Sequence, residues 1–450
     1  MSQNKAKEIR EQILALTRTY YTEQFGDPKP YEPGDRISYG GRYFDEKEIA
    51  ALVESSLDFW LTAGKYCSLF ESDFARYLGV SFCSLTNSGS SANLLAFMAL
   101  TSPSLQERRI FPGDEIITVA CAFPTTVAPI MQYGAIPVFI DVTLPTYNLD
   151  VTQLEAALSP RTKAVMAAHT LGNPFDLRGV TAFCKKHNLW LIEDNCDALG
   201  SVYQMPDGPK LTGTIGDLGT SSFYPPHHMT MGEGGAVYTN QAKLRRLVES
   251  FRDWGRDCYC SSGKDDTCKH RFDGQYGELP AGYDHKYVYS HLGYNLKATE
   301  MQAAIGCEQL KKLPDFVEAR RKNWSYLRER LAPLSNVFVL PEATEYSEPS
   351  WFGFLLTIKK NASFGREELV RELESNNIQT RMLFAGNLIY HPCFDTYRAS
   401  GQGYRVVGSL TNTDRIMNQT FWIGVYPGMD QARLDRMVDV ITNFAKARQA

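Results

Sequence analysis

Three thiols fall within eleven residues of this 450-residue chain, in the run Cys258-Tyr-Cys260 followed by Cys268. Zinc sites usually separate their first pair by roughly two to four residues, so the single-residue gap suits them poorly. A [2Fe–2S] cluster takes four thiolates, or a mixed set that includes histidine. The local run supplies three, and Cys196, Cys121, Cys307 or His270 is available as the fourth; spacing does not choose among them.

Two further groupings carry chemistry of a different kind. Thr86-Asn-Ser-Gly-Ser-Ser-Ala-Asn-Leu94 places a glycine and several hydroxyls between a short strand, Cys83 to Thr86, and a helical pattern. Free N–H groups and the helix dipole at such a start bind phosphate, although Ser-Gly turns also simply cap helices. Asp194 ends the apolar run Trp190-Leu-Ile-Glu-Asp, where its carboxylate is suited either to a protonated ring nitrogen or to capping the next helix. Adjacent His227 and His228 offer a proton-transfer group near neutral pH, or merely a polar turn.

The elements that must hold these residues are legible as patterns. From Leu85 to about Asn240, apolar runs at Glu115-Ile-Ile-Thr-Val, Pro137-Val-Phe-Ile-Asp, Ala164-Val-Met-Ala-Ala, Trp190-Leu-Ile-Glu-Asp and Gly235-Ala-Val-Tyr-Thr alternate with helical patterns. That alternation predicts an α/β fold with a mostly parallel central sheet, whose ligands lie beyond the carboxyl ends of its strands. An amphipathic helix over residues 5–26 and a Pro- and Gly-rich connector from Asp27 to Gly41 precede it. A long loop from Asp253 to Leu292 follows, then a helix through Ala298 to Gly306. The last 120 or so residues suit a smaller α+β domain. The expected division is 1–56 for the N-terminal helix and connector, 57–310 for the large domain including the 253–292 loop, and 311–450 for the small domain.

Composition excludes several functions. With 47 basic against 51 acidic residues the chain carries no nucleic-acid footprint. The first ten residues lack a signal-peptide core and no later stretch suggests a membrane span, so the cytoplasm is expected. Ten cysteines there would stay reduced rather than form structural disulfides.

The segment Ser222-Phe-Tyr-Pro-Pro-His-His-Met-Thr-Met-Gly-Glu-Gly-Gly-Ala236 resembles the cofactor-lysine segment of the DegT/DnrJ/EryC1 sugar aminotransferases, which use pyridoxal phosphate. The ungapped flanks Ser222-Phe-Tyr and Gly232-Glu-Gly-Gly put His227, not His228, where that lysine stands. An imidazole forms no stable imine with the cofactor aldehyde, so the cofactor is expected to be held non-covalently and His227 to move protons. The resemblance implies a type I, aspartate aminotransferase-like fold. It assigns the cofactor phosphate to Gly89, Ser90 and Ser222, the ring stack to Phe123 and the ring nitrogen to Asp194. It further implies a phosphate contact from Asn295 of a neighbouring subunit, hence a homodimer.

The same resemblance extends to a dehydratase branch of the family, which pairs the lysine-to-histidine change with a [2Fe–2S] cluster on Cys-x-Cys-x7-Cys plus one upstream cysteine. It implies Cys196, Cys258, Cys260 and Cys268 as cluster ligands, and pyridoxamine phosphate as the working cofactor. The implied substrate is CDP-4-dehydro-6-deoxyglucose, losing its C3 hydroxyl with electrons from a flavin and iron–sulfur reductase fed by NADH. The alternatives are a cluster-free GDP-sugar 3-dehydratase coupled to glutamate, or a non-catalytic binding protein of the same fold.

Overall fold

The computed structural model describes residues 2–26, 29–260, 263, 265–267 and 269–449. Its strands are β1 (Phe82–Thr86), β2 (Glu115–Val119), β3 (Ile136–Ile140), β4 (Thr162–Ala168), β5 (Trp190–Asp194), β6 (Val202–Met205), β7 (Gly208–Leu211), β8 (Leu218–Ser222), β9 (Gly235–Thr239), β10 (Phe338–Val339), β11 (Ser347–Glu348), β12 (Gly353–Ile358), β13 (Arg405–Val406) and β14 (Thr420–Gly424). The large sheet runs β1-β9-β8-β5-β4-β2-β3-β13. Only β9 is reversed; it pairs antiparallel with both β1 and β8, while the remaining pairings are parallel. The loop endings of β1, β2, β5 and β8 therefore meet on one edge.

Strand alternation sorts the apolar side chains onto two faces. Ile116, Ala164, Met166 and Ile192 pack beneath the helices Gly89–Ala99 and Ala242–Arg252. Ile117, Val165, Ala167 and Leu191 pack on the other side with Val180 and Phe183 of the helix Leu177–His187. Both faces are covered, which is why these strands read as continuous apolar runs rather than as alternation.

A second core gathers Leu327 and Leu331 with Phe338, Phe354, Phe421 and Ile441 around the sheet β10-β12-β14. The helix Glu300–Leu331 joins the two regions without a break, so the expected boundary at 310/311 falls inside it. Its first half packs on the helix Lys65–Leu78 through Ala303, Cys307 and Leu310, and its second half belongs to the second core. A capping box on Thr299 and Gln302 fixes where it starts.

Three elements differ from the sequence reading. β8 was absent from it, because Leu-Gly-Thr-Ser-Ser carries neither an apolar run nor alternation. The hairpin β6–β7, joined at its edge by β11, falls where the sequence reading placed no strand. In the smaller domain, β10 is only two residues long, too short for a sequence pattern to mark. Among the described residues no helix is long and apolar enough to cross a membrane.

Candidate active site

The site grows from the carboxyl edge of the large sheet. Register sets Thr86, Gly235 and Ser222 side by side across β1, β9 and β8, and pairs Asp194 with Thr220 across β5 and β8. Each segment leaving these strands then contributes one part of the site.

After β1, Ser88 caps the helix Gly89–Ala99 by accepting from the Ser91 N–H. A Cβ on Gly89 would overlap the Ser222 side chain and lie 3.0 Å from the Cys196 sulfur, so only glycine lets the helix start sit this close to β8. Gly235 is required for the same reason, since its Cβ would run into the Ser88 carbonyl. The result is a tight cradle of N–H groups at a helix N-terminus beside the Ser222 hydroxyl, which suits a phosphate. Ser90, whose hydroxyl donates to Thr125 Oγ1 at 3.1 Å, ties the cradle to the helix Pro124–Tyr133.

Asp194 is buried, and its direction is fixed from three sides. Oδ2 accepts from Asn93 Nδ2 at 2.8 Å and from Thr126 Oγ1 at 2.7 Å, and Oδ1 accepts from the Cys196 N–H at 3.2 Å. Thr220 in turn donates to Asn93 Oδ1 at 2.6 Å. Asn93, Thr126 and Thr220 were not singled out from sequence; the first lies one turn inside the phosphate-cradle helix, a position that the Ser-Gly motif does itself suggest. Phe123, 51% exposed, opens the helix Pro124–Tyr133 and offers a ring to the same edge.

His227 lies in the connection between β8 and β9. Its Nε2 is 3.3 Å from Asp197 Oδ1, and its ring packs at 5.2 Å from that of Phe352. Arg320 holds the backbone here, donating to the carbonyls of Pro226 at 3.0 Å, His227 at 3.1 Å and Phe352 at 3.2 Å. Burial lowers the guanidinium pKa to about 9, with Asp197 opposing. Burial likewise raises the Asp197 carboxyl, against the pull of His227. Asp197 stands three residues past Asp194 in the motif Glu193 to Ala198, whereas nothing local marks Arg320, twenty residues into a long helix.

His228, the neighbour, is excluded from this role. It is buried, and burial together with the Arg320 charge pushes its pKa well below the usual histidine range. Neither ring nitrogen has a hydrogen-bond partner among the described residues.

The cysteines divide. Cys258 and Cys260 line one cleft of 1380 Å3 together with Trp60, Cys83, Arg252 and Lys297, and Thr267 Oγ1 donates to the Cys260 sulfur at 3.0 Å. Cys268 lies outside the described residues. Cys196 sits instead in the phosphate cradle, because β5 ends at Asp194 and the turn beyond it points the sulfur at Gly89. Burial and Asp194 raise its thiol pKa well above the ordinary value. Among the described residues no three His, Cys, Asp or Glu side chains are disposed to hold a metal ion. Cys196 does not line the cleft that Cys258 and Cys260 share, and the expected set of four extends to Cys268, beyond the described residues. Of the other candidates, Cys121 and Cys307 are buried thiols with pKa values pushed up to about 12 by burial.

Asn295 is exposed, with its backbone bridged to Asp253. A residue that serves a second copy of the chain must be reachable in this way.

Comparison with known proteins agrees with this architecture. The lipopolysaccharide biosynthesis protein RfbH of Salmonella typhimurium strain LT2 is 54% identical over 440 residues, 98% of this chain and 98% of that protein. The dTDP-4-dehydro-2,6-dideoxy-D-glucose 3-dehydratase of Saccharopolyspora spinosa is 50% identical over 437 residues, 97% of this chain and 92% of that protein. Among solved structures, the E. coli GDP-4-keto-6-deoxy-D-mannose-3-dehydratase with bound hydrated PLP matches with a TM-score of 0.78 at 28% identity, covering 90% of this chain and 100% of that one. The fold is the type I fold of pyridoxal-phosphate enzymes, as expected. With a family-model match spanning residues 43–442, the chain belongs to the DegT/DnrJ/EryC1/StrS aminotransferase family.

Proposed function

We propose that this chain is a pyridoxamine-phosphate-dependent sugar 3-dehydratase, removing the C3 hydroxyl of CDP-4-dehydro-6-deoxyglucose on the way to a 3,6-dideoxyhexose of surface polysaccharide. One observation carries the reading: an imidazole, His227, occupies the loop beyond β8 on the same edge as the braced Asp194 and the Gly89 cradle, and no lysine occurs from Ser222 to Ala236. The names of the relatives, one a lipopolysaccharide biosynthesis protein and one a sugar 3-dehydratase, support it.

The cradle suits the cofactor, since a Cβ at Gly89 or Gly235 would fill it. Pyridoxamine phosphate, when bound, supplies an amine for the sugar's 4-keto group and a ring that accepts electron density. The N–H groups of Gly89 and Ser90, with the Ser222 hydroxyl, hold the phosphate. Asp194, its carboxylate immobilised by Asn93 and Thr126, would pair with the ring nitrogen and keep it protonated. Phe123, exposed at this edge, would stack on one ring face. His227 would take up the proton whose removal expels the C3 hydroxyl and return it to that oxygen so that water leaves, and it cannot complete amino transfer as a lysine would. Asn295 closes the phosphate site of a second copy, making the working unit a homodimer in the cytoplasm.

The [2Fe–2S] cluster and an NADH-fed flavin and iron–sulfur reductase belong to this reading through the resemblance of the Cys258-x-Cys260-x7-Cys268 run to the dehydratase branch of the family. A second reading, a cluster-free 3-dehydratase coupled to glutamate, draws on the likeness to a GDP-4-keto-6-deoxymannose-3-dehydratase solved with a trapped PLP-glutamate geminal diamine. Iron and acid-labile sulfide per anaerobically purified chain decide between them: about two of each is expected for the first, and none after reconstitution establishes the second. Single-turnover dehydration of CDP-, dTDP- and GDP-linked 4-keto sugars by the pyridoxamine-loaded protein tests the substrate. Equal rates on all three would remove the CDP assignment, and no dehydration would remove the function.

A further inference from the structure

We propose that Phe384 is a positioning residue that holds the ring of Phe123 in the plane in which it stacks on the cofactor. The inference rests on the reading of Phe123 as the stacking ring and adds the group that orients it.

Phe123 needs such a group. It stands at the N-cap of the helix Pro124–Tyr133, where its side chain makes no capping bond, and it is 51% exposed. A phenyl ring on an exposed helix start keeps one rotamer only if something packs on it. Among the described residues the ring meets Phe384, at 6.4 Å between centroids and an interplanar angle of 75°. That is the edge-to-face arrangement that aromatic pairs prefer, and it sets the plane of one ring against the other.

The backbone of Phe384 shows that its placement is imposed from outside. Its φ is 46°, in the left-handed region that a bulky residue avoids. A residue stays there only when its surroundings over-determine it, and such residues gather at functional sites. Here the determinants lie on both sides. The Ala385 N–H donates to the Ala122 carbonyl at 3.2 Å and the Leu388 N–H to the Ala120 carbonyl at 3.0 Å, so residues 384 and 123 stand beside a direct backbone link. Upstream, Arg381 exchanges two backbone hydrogen bonds with Trp422 of β14, and Trp422 Nε1 donates to the Met382 carbonyl at 3.1 Å. The Gly386 N–H closes the turn on the Leu383 carbonyl at 2.8 Å. The segment is thus pinned to β14 at one end and to the strand-end segment that carries Phe123 at the other, and the strained residue between the two pins is the one whose ring meets Phe123.

The test is a double-mutant cycle on protein loaded with pyridoxamine phosphate, read by the induced circular dichroism of the cofactor and by its dissociation rate, with single-turnover dehydration alongside. Phe384→Leu keeps an apolar side chain against the core on which Phe384 packs and removes the flat ring. It should weaken the induced band and speed cofactor dissociation by roughly 2- to 10-fold, the factor that an edge-to-face pair is worth. Dehydration at saturating sugar should slow while KM stays within about twofold. Phe384→Tyr keeps the ring and should return all of these toward the parent values. In a Phe123→Leu background, Phe384→Leu should have no further effect, because the ring that it positions is gone. Additive losses in the double variant overturn the proposal, as does Phe384→Leu with the parent band and dissociation rate, or Phe384→Tyr no better than Phe384→Leu. If Phe384→Leu does not fold, Phe384→Met, equally non-aromatic, takes its place in the cycle. Phe123→Leu with the parent band and rate would remove Phe123 as the stacking ring, and the proposal with it. Absence of dehydration in the parent protein would remove the sugar 3-dehydratase function instead, while the two cofactor readouts still decide the role of Phe384.

Discussion

The cofactor edge and the cysteine loop are both built from short polar segments, yet they are determined to very different degrees. At the edge, Asp194 is fixed by three donors, Gly89 by direct contact with Ser222, and the His227 backbone by Arg320. In the loop from Asp253 to Leu292 the described residues carry one short 3-10 turn, His285–Tyr287, and polar links such as Arg271 with Asp284 at 2.9 Å. The edge draws its geometry from a sheet covered on both faces. Many apolar side chains of the loop, Tyr259, Phe272, Tyr287 and Leu292 among them, are exposed, so less burial fixes its shape. Changes at the edge should therefore disable the chemistry outright, and changes in the loop should remove one property while leaving the rest.

The largest effect is expected at His227. His227→Lys should lower single-turnover dehydration by about 10²- to 10⁴-fold, the usual worth of a general base, and restore absorbance of an aldehyde-linked cofactor. Dehydration at the parent rate would show that the base lies elsewhere. Next comes Gly89→Ala, where the added methyl meets Ser222 and Cys196. Overpacking of this kind costs about 1–3 kcal/mol, so the melting midpoint should fall and cofactor should be lost on desalting. A variant that keeps stoichiometric cofactor would mean that the helix start can shift away from β8.

How legible each region was follows from the same contrast. β2 and β5 were readable because a strand covered on both faces must be apolar along its length, and Asp194 was readable because it ends such a run. β8 escaped because its Gly-Thr-Ser-Ser sequence is dictated by neighbours: glycine at 219 lies against Tyr238, and Thr220 serves Asn93. Arg320 escaped because its function is tertiary; it reaches carbonyls at 226, 227 and 352 that no local pattern links. Cys196 is joined to the cysteine run by resemblance, a link that no local pattern carries; two residues past β5, its sulfur lies beside Gly89.

Cys260→Ser sharpens the comparison from the loop side. If the cysteine run holds iron, the variant should lose it, yet retain cofactor, with folding stability changed by no more than about 0.5 kcal/mol, as befits a partly exposed position outside the cores. Iron and sulfide analysis beside differential scanning calorimetry reads both quantities. Loss of cofactor together with iron would show that loop and edge fold as one unit, and the contrast between them would fail.

The smallest effect concerns His228, on the edge but outside its chemistry. Burial holds its folded pKa well below the ordinary histidine value of about 6.5, so below that pH the unfolded chain binds a proton that the folded chain refuses. The unfolded state then binds more protons, and stability falls as pH drops from about 6.5 toward the folded value, by up to about 1.4 kcal/mol per pH unit. Both ring nitrogens are buried without partners, so His228→Phe removes this liability without breaking a hydrogen bond. Chemical denaturation from pH 7 down to pH 5 should show a shallower loss of stability for His228→Phe than for the parent. Parallel curves would place the His228 proton outside the folding equilibrium, and the edge would be less tightly closed around Phe352 than its 6.3 Å ring contact indicates.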